Sequence, residues 1–353
     1  MKNNCIILTG GGTAGHVMLN INLQNELKKH FDKIVYIGSK TGIEKNLICE
    51  QTSYIYKQIS TVKLVRHNIL KNVTIPFKLI QSVNEAKKII RQEKPSLIFS
   101  KGGYVGLPVV IAGKKLKVPV VCHESDLTMG LANKIAKRYA NVICTNFETT
   151  SKQNDKKCKY TGMPIPKSNL SKDEIYQKFK IKTNKPILLV TGGSLGAQAI
   201  NKFIFENINH LTQEYFIVHL VGKNNLKKNI RNNNYLQIEF CDDMASLLKI
   251  TTYAISRAGA NTIFELLSNG ILSIFIPLPK SVSRGDQIEN AKYLEEKGFS
   301  KTIFQEELTL KKLQNSLIFL KNNANVIQNQ IKNAKFNDGT KNIMKVILQE
   351  KNT

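Results

Sequence analysis

The chain has 353 residues, 42% of them hydrophobic, and carries 52 Lys and Arg against 26 Asp and Glu, for a net charge of +26 and a pI near 9.7. That length suits two domains of ordinary size with real cores, and the charge invites nucleic acid, an anionic membrane or a phosphorylated substrate. Lys and Asn are spread along the whole sequence with no aromatic-and-basic nucleic-acid signature, so specific nucleic-acid binding is set aside; the six Cys form no C-x-x-C pair and no metal-ligand spacing to His, and Cys5, Cys122 and Cys144 sit in apolar runs that predict buried reduced thiols.

In chain order, Cys5 to Thr9 is a short apolar run that predicts a buried strand. Gly10-Gly11-Gly12-Thr13-Ala14-Gly15-His16 follows, then an amphipathic helix to about Lys29. Gly10, Gly12 and Gly15 satisfy G-x-G-x-x-G in a strand–turn–helix context. A nicotinamide enzyme places Asp or Glu at the end of the next strand, but Lys33 to Gly38 ends in Ser39-Lys40, which counts against NAD. His16, at the mouth of the loop, is a ligand-facing candidate.

Residues 61–80 alternate apolar side chains with Lys63, Arg66, Lys71 and Lys78, the character of a membrane-surface contact or of a core-facing helix with a solvated basic face. Pro95 to Ser100 predicts a strand leading into a second glycine turn, Lys101-Gly102-Gly103-Tyr104. Val118 to Cys122 predicts the next strand, with His123-Glu124-Ser125-Asp126 beyond its carboxyl end, where open α/β sheets bind ligands. Asn141 to Thr145 is a further strand, and the sequence is polar from Asn146 to Lys159.

Tyr160-Thr161-Gly162-Met163-Pro164-Ile165-Pro166 reads as the interdomain crossing. The pattern then restarts: strand Pro186 to Thr191, glycine turn Gly192-Gly193-Ser194-Leu195-Gly196, helix Ala197 to Ile208. Later strands are expected at Phe216 to Val221, Leu236 to Cys241, Tyr253 to Ser256 and Ile271 to Ile276, with Asp242-Asp243 capping a helix from Met244. Ser256-Arg257-Ala258-Gly259-Ala260-Asn261-Thr262 reads as strand end, tight turn and helix N-terminus, an anion site to which Arg257 adds charge. Glu265 is expected in the first turn of that helix, placed to accept hydrogen bonds from a sugar diol. Gly285 to Ala291 opens another helix, and the Lys-rich tail from Leu308 is helical by pattern. Met1 to Asn4 runs directly into a strand, and no stretch reaches roughly 18 uncharged apolar residues. The chain is expected in the cytosol or on the cytosolic side of a membrane.

Two Rossmann-like halves facing a cleft, with glycine turns aimed into it and no nicotinamide acid or metal cluster, suit a nucleotide-diphosphate sugar donor. Six motifs recur in order: Gly10 to His16, Lys101 to Tyr104, His123 to Asp126, Gly192 to Gly196, Ser256 to Gly259 with Glu265, and Gln287 to Ala291. On these the chain resembles the MurG family from Asn3 to about Leu348. The resemblance implies an α/β chain of GT-B fold with an acceptor-binding, membrane-facing domain over 1–162, a donor domain over 163–335 and a C-terminal helix over 336–353 packing back on the first domain. It implies inverting transfer of N-acetylglucosamine from UDP-GlcNAc to the 4-hydroxyl of the muramoyl sugar of lipid I, in peptidoglycan synthesis at the inner face of the cell membrane.

Carried over by motif, Thr13, Ala14 and Gly15 line the donor site, and His16 lies near the reacting centre. Ser194 contacts the diphosphate, Cys241 holds the uracil edge through its backbone, and Arg257 with Ala260, Asn261 and Thr262 holds the donor. Glu265 takes the ribose hydroxyls and Gln287 those of GlcNAc. Gly102, Gly103 and Tyr104 are expected to bind the acceptor, and residues 61–80 the anionic membrane surface; no cofactor or metal is implied.

The chain departs from the family pattern twice. Asp126 stands where many members carry Asn, and Pro166-Lys167 where an Arg commonly follows the crossing. His16, Asp126 and Glu124 are the candidates for the base that takes the 4-hydroxyl proton. With no metal motif, helix N-termini and Arg257 are left to stabilise departing UDP. Rival readings are another GT-B glycolipid enzyme such as a diacylglycerol glucosyltransferase, a nicotinamide oxidoreductase, and a basic nucleic-acid-binding protein.

Overall fold

The computed structural model describes residues 4–61, 75–153, 156–193, 196–334, 336 and 338–352. Contacts divide the chain into two units: unit 1 comprises Met1–Pro164 with Asp338–Thr353, and unit 2 comprises Ile165–Asn337.

Unit 1 alternates strand and helix: β1 (Cys5–Thr9), α1 (Gly15–Asn22), α2 (Gln24–His30), β2 (Lys33–Ser39), α3 (Ile43–Gln51), β3 (Ile55–Ile59), α4 (Ile75–Glu93), β4 (Leu97–Ser100), α5 (Gly103–Lys115), β5 (Val120–Glu124), α6 (Leu131–Ala136), β6 (Val142–Thr145), α7 (Glu148–Gln153) and β7 (Cys158–Tyr160). Among the described residues the sheet is parallel in the order β3-β2-β1-β4-β5-β6-β7. Central strands such as β1 and β4 are fully buried, as helices on both faces of a parallel sheet require, so they read as unbroken apolar runs. Ile7, Val35, Ile98 and Val120 pack with Val83 and Ile90 of α4 and Val109 and Ala112 of α5. The strand order reverses between β1 and β4, so the two glycine turns that follow these strands flank the switch point where such sheets bind ligands.

Unit 2 repeats the plan with α8 (Lys172–Lys178), β8 (Ile187–Thr191), α9 (Gln198–Leu211), β9 (Phe216–Leu220), β10 (Tyr235–Ile238), α10 (Met244–Ile250), β11 (Tyr253–Ser256), α11 (Ala260–Ser268), β12 (Leu272–Phe275), α12 (Asp286–Glu296), β13 (Ser300–Thr302), α13 (Leu310–Asn322) and α14 (Ala324–Asn333). Its parallel sheet runs β10-β9-β8-β11-β12-β13, reversing between β8 and β11. The final helix, α15 (Thr340–Lys351), belongs to unit 1 and packs against α2, β4 and β5.

The structure corrects three local expectations. The single helix expected after the first turn is two, α1 and α2, divided at Leu23. His123 and Glu124 are the last two residues of β5 rather than lying beyond it. Glu265 is the sixth residue of α11, in its second turn. The Asp243 side chain does cap α10, accepting from Ser246 N at 3.1 Å. Of the stretch 61–80, residues 62–74 lie outside the described residues; the remainder opens α4, where Phe77 and Ile80 are 75% and 60% exposed.

Candidate active site

At the end of β1 the chain must turn sharply beneath α5. Gly12 has φ +88, and a Cβ there would lie 2.5 Å from the Tyr104 ring, so only glycine fits. The turn is held from below by the Tyr36 hydroxyl, which donates to Gly10 O at 2.7 Å. It is held from the side by Glu44 of α3, whose buried carboxylate accepts from Gly12 N at 3.3 Å and from Ser39 N at 3.0 Å. Thr13 is exposed, while Ala14, Gly15 and His16 are half-buried. His16 Nδ1 lies 3.0 Å from Gly11 O and 3.1 Å from Thr13 Oγ1. A carbonyl only accepts, so the contact to Gly11 places the ring proton on Nδ1 and leaves Nε2 as the basic nitrogen.

The turn after β4 opens α5. Lys101 is 2% exposed and its ammonium makes no hydrogen bond or ion pair among the described residues. Burial pushes its pKa down, against the pull of Glu124 and Asp126. Gly102 N donates to Ser100 Oγ, and the Asn133 amide of α6 lies where a Gly102 side chain would stand. Gly103 lies beside the His16 ring and Gly11 O. Burial, with the Glu44 charge, raises the Tyr104 hydroxyl.

On β5, His123 and Glu124 do not pair with each other. His123 is buried with Nε2 on Gly162 O at 3.1 Å; burial and the Lys101 charge hold its pKa well below the ordinary value. Glu124 accepts from Asp126 N (3.0 Å), Gly130 N (2.8 Å) and Asn133 Nδ2 (3.0 Å). Its carboxylate therefore organises the loop that carries the half-buried Asp126.

In unit 2, Ser194 lies outside the described residues. Gly259 precedes α11 and makes no side-chain cap among the described residues, so the Ala260-Asn261-Thr262 turn stands at the positive end of the helix dipole. Arg257 is buried and its terminal nitrogens are engaged: Nη1 donates to Ile276 O (3.0 Å) and Pro277 O (3.2 Å), and Nη2 to Gln305 Oε1 (2.6 Å). Nε is buried with no hydrogen-bond partner among the described residues. In this conformation the guanidinium braces the turn through its terminal nitrogens.

Asn290 of α12 donates to Ala258 O at 3.2 Å, bracing the same turn. Gln287 Oε1 accepts from Leu278 N at 3.1 Å, and its Nε2 lies 4.0 Å from the place of a Gly259 Cβ, so the amide group faces the turn. Glu265 is half-buried with no side-chain hydrogen bond among the described residues, and burial pushes its carboxyl up to about 7. Cys241 is buried beyond β10, its thiol pushed up to about 11 by burial. Lys167 is exposed.

The structure thus gathers Thr13 to His16, Gly102 to Tyr104 and His123 to Asp126 at the carboxyl ends of β1, β4 and β5 in unit 1. It brings Arg257 to Thr262, Gln287 and Glu265 around one helix start in unit 2. Sequence reading missed Glu44, Asn133, Asn290 and Gln305, which lie on other elements than the turns they brace. A Glu five residues past the β2 end and an Asn inside an otherwise apolar helix face were the available signals.

Two α/β units, each with a parallel sheet and its glycine turns at a switch point, have the architecture shared by GT-B glycosyltransferases. The glycosyltransferase family 28 N-terminal domain matches residues 6–145 and the family's C-terminal domain matches residues 187–347. A Clostridium tetani protein named UDP-N-acetylglucosamine–N-acetylmuramyl-(pentapeptide) pyrophosphoryl-undecaprenol N-acetylglucosamine transferase is 45% identical over 347 residues, 97% of each chain. One of the same name from Clostridium perfringens is 45% identical over 352 residues, 98% of each. The chain belongs to this family of transferases, the MurG family. Acinetobacter baumannii MurG shares the fold, with TM-score 0.75 at 24% identity over 98% of this chain and 99% of that one. So does the kitacinnamycin glycosyltransferase, with TM-score 0.76 at 12% identity over 99% and 100%.

Proposed function

We propose that the chain transfers N-acetylglucosamine from UDP-GlcNAc to the 4-hydroxyl of the muramoyl sugar of lipid I, forming lipid II with inversion at the anomeric carbon. The observation that carries this is 45% identity over 97% of both chains to a transferase of that name. Unit 2 holds the donor. Backbone amides at the start of α11, the Arg257 charge and Ser194 take the diphosphate; Glu265 accepts from the ribose hydroxyls; Gln287 meets the GlcNAc hydroxyls; the Cys241 backbone holds uracil. Arg257 and the uncapped helix end stabilise the charge that develops on departing UDP, the largest single contribution in many such sites.

Unit 1 holds the acceptor at Gly102, Gly103 and Tyr104. His16 Nε2 takes the 4-hydroxyl proton as the oxygen attacks, a role worth about 10²–10⁴ in rate. Asp126 is the alternative acceptor of that proton, and Glu124 fixes the loop that carries it. Thr13, Ala14 and Gly15 shape the mouth of the reacting centre. Exposed Phe77 and Ile80 beside Lys78 support a membrane contact, consistent with a peripheral protein on the cytoplasmic side; no described helix is long and apolar enough to cross a membrane.

The test is purified protein with UDP-GlcNAc and a short-chain lipid I analogue, read as disaccharide product. Absence of product, or turnover of UDP-glucose with a diacylglycerol in its place, overturns the reading.

A further inference from the structure

Glu44 has no exposed surface, and no Lys, Arg or His pairs with it among the described residues. Its carboxylate is satisfied wholly by hydrogen-bond donors: Ser39 N and Ser39 Oγ on Oε1, and Gly12 N on Oε2. The carboxyl carbon stands 2.7 Å from where a Gly11 side chain would begin, so the acid lies flat against the first glycine turn.

The amide that Gly12 donates and the carbonyl that His16 meets belong to one peptide unit, Gly11–Gly12. In a trans peptide the N–H and C=O point in opposite directions. Glu44 therefore grips one side of the unit at 3.3 Å, and His16 Nδ1 the other at 3.0 Å. A negative charge on the N–H polarises the peptide and makes its carbonyl a stronger acceptor.

We propose that Glu44 is a positioning residue for His16, acting through the Gly11–Gly12 peptide to hold the ring as the Nδ1–H tautomer and to stabilise it once Nε2 has taken a proton. The arrangement does with an interposed peptide what a buried acid does by direct contact with the imidazole in hydrolase triads. The inference rests on reading His16 as the base. It also separates this turn from a phosphate cradle: the Gly12 N–H already serves an internal carboxylate.

The other groups around the turn do not duplicate the effect. Thr13 Oγ1 is 3.1 Å from the same nitrogen and carries no charge. Gly103 brings the start of α5 beside the ring. Tyr104 of α5 packs on Gly12, and Tyr36 of β2 donates to Gly10 O. Lys101, against Gly10, is a positive group facing Glu124 and Asp126.

The experiment is the kcat–pH profile of the wild type, Glu44→Gln, His16→Ala and the double variant, with both KM values. Gln keeps the shape and one acceptor oxygen for Ser39, but turns an NH2 toward the Gly12 N–H. Glu44→Gln is expected to lower kcat by about tenfold or more with both KM values held within about twofold. It is also expected to move the acidic limb of the profile down by about half a pH unit or more, and to add nothing on the His16→Ala background. If His16→Ala leaves kcat intact, both readings fall. If His16→Ala slows turnover while Glu44→Gln keeps kcat and the limb, the relay alone is wrong. Ring ¹⁵N shifts of wild-type His16 test the tautomer without any variant: Nδ1–H supports the relay, and a majority of Nε2–H overturns it.

Discussion

Glu265 of α11 carries a pH dependence that burial sets. Burial lifts its carboxyl from the ordinary 4.5 to about 7, so the folded protein binds a proton there that the unfolded chain has already released between those values. Its contribution to stability is thus complete below about pH 4.5 and is lost as pH rises through 7. Ribose hydroxyls donate best to the ionised form, so KM for UDP-GlcNAc should fall as pH rises from about 6 to 8. Glu265→Gln should bind the donor more weakly and flatten that dependence, and should melt above the wild type at pH 8; an unchanged slope in the Gln variant would remove Glu265 from the ribose. Arg257 supports a second expectation at this scale. Arg257→Met leaves the carbonyls of Ile276 and Pro277 and the Gln305 amide oxygen without their donor. A loss of about 2–3 kcal/mol in urea unfolding is expected, where a purely ligand-facing arginine would cost almost nothing. Roles such as these were half legible. The types and order of His16, Arg257, Glu265 and Gln287 were readable as candidates, but the partners that orient Arg257 and the Gly12 turn, Gln305 and Glu44, sit 48 and 32 residues away, a separation that only the fold closes.

Elements fared according to burial. Strands buried on both faces, such as β1, β4, β8 and β11, announce themselves as apolar runs. The edge strand β3, Ile-Tyr-Lys-Gln-Ile, is exposed or half-buried except at Ile59 and carries no such run. β5 ran two residues further than its apolar stretch because His123 and Glu124 are satisfied by hydrogen bonds inside the fold. Gly196, just before α9, has φ +75, and a Cβ there would fall 2.1 Å from Val221 O. Gly196→Ala must strain the backbone and displace the end of β9, so a loss of about 2–4 kcal/mol is expected by thermal or urea denaturation. UDP-GlcNAc affinity should fall with it, because the same turn carries the Ser194 loop.

At the scale of the molecule, the restarted strand–turn–helix pattern foretold two α/β units, since one sheet could not take both switch points. The charge of +26 was ambiguous because Lys is spread over both units and composition carries no position. If part of it serves an anionic membrane, vesicles containing phosphatidylglycerol should bind the protein, and binding should weaken steeply between about 0.05 and 0.5 M salt as screening grows. The double variant Phe77→Ser, Ile80→Ser should lower vesicle binding several-fold and leave turnover of a water-soluble acceptor unchanged. Equal binding by the variant would place the membrane contact elsewhere.

The chain leaves unit 1 at Pro164 and re-enters it at Asp338, and the two points touch: Gly339 N donates to Met163 O at 2.8 Å, and Met163 pairs with Asp338 in a β-bridge. α15 then buries Ile343, Met344, Val346 and Ile347 against β4, β5 and α2. This imposes an order on biosynthesis. The ribosome makes all of unit 2 before it delivers the helix that covers unit 1, so nascent unit 1 waits with an apolar face open for some ~10–40 s at ordinary elongation rates. A message truncated before codon 340 should therefore yield a protein that chaperones retain or that aggregates, although every residue assigned to chemistry is present.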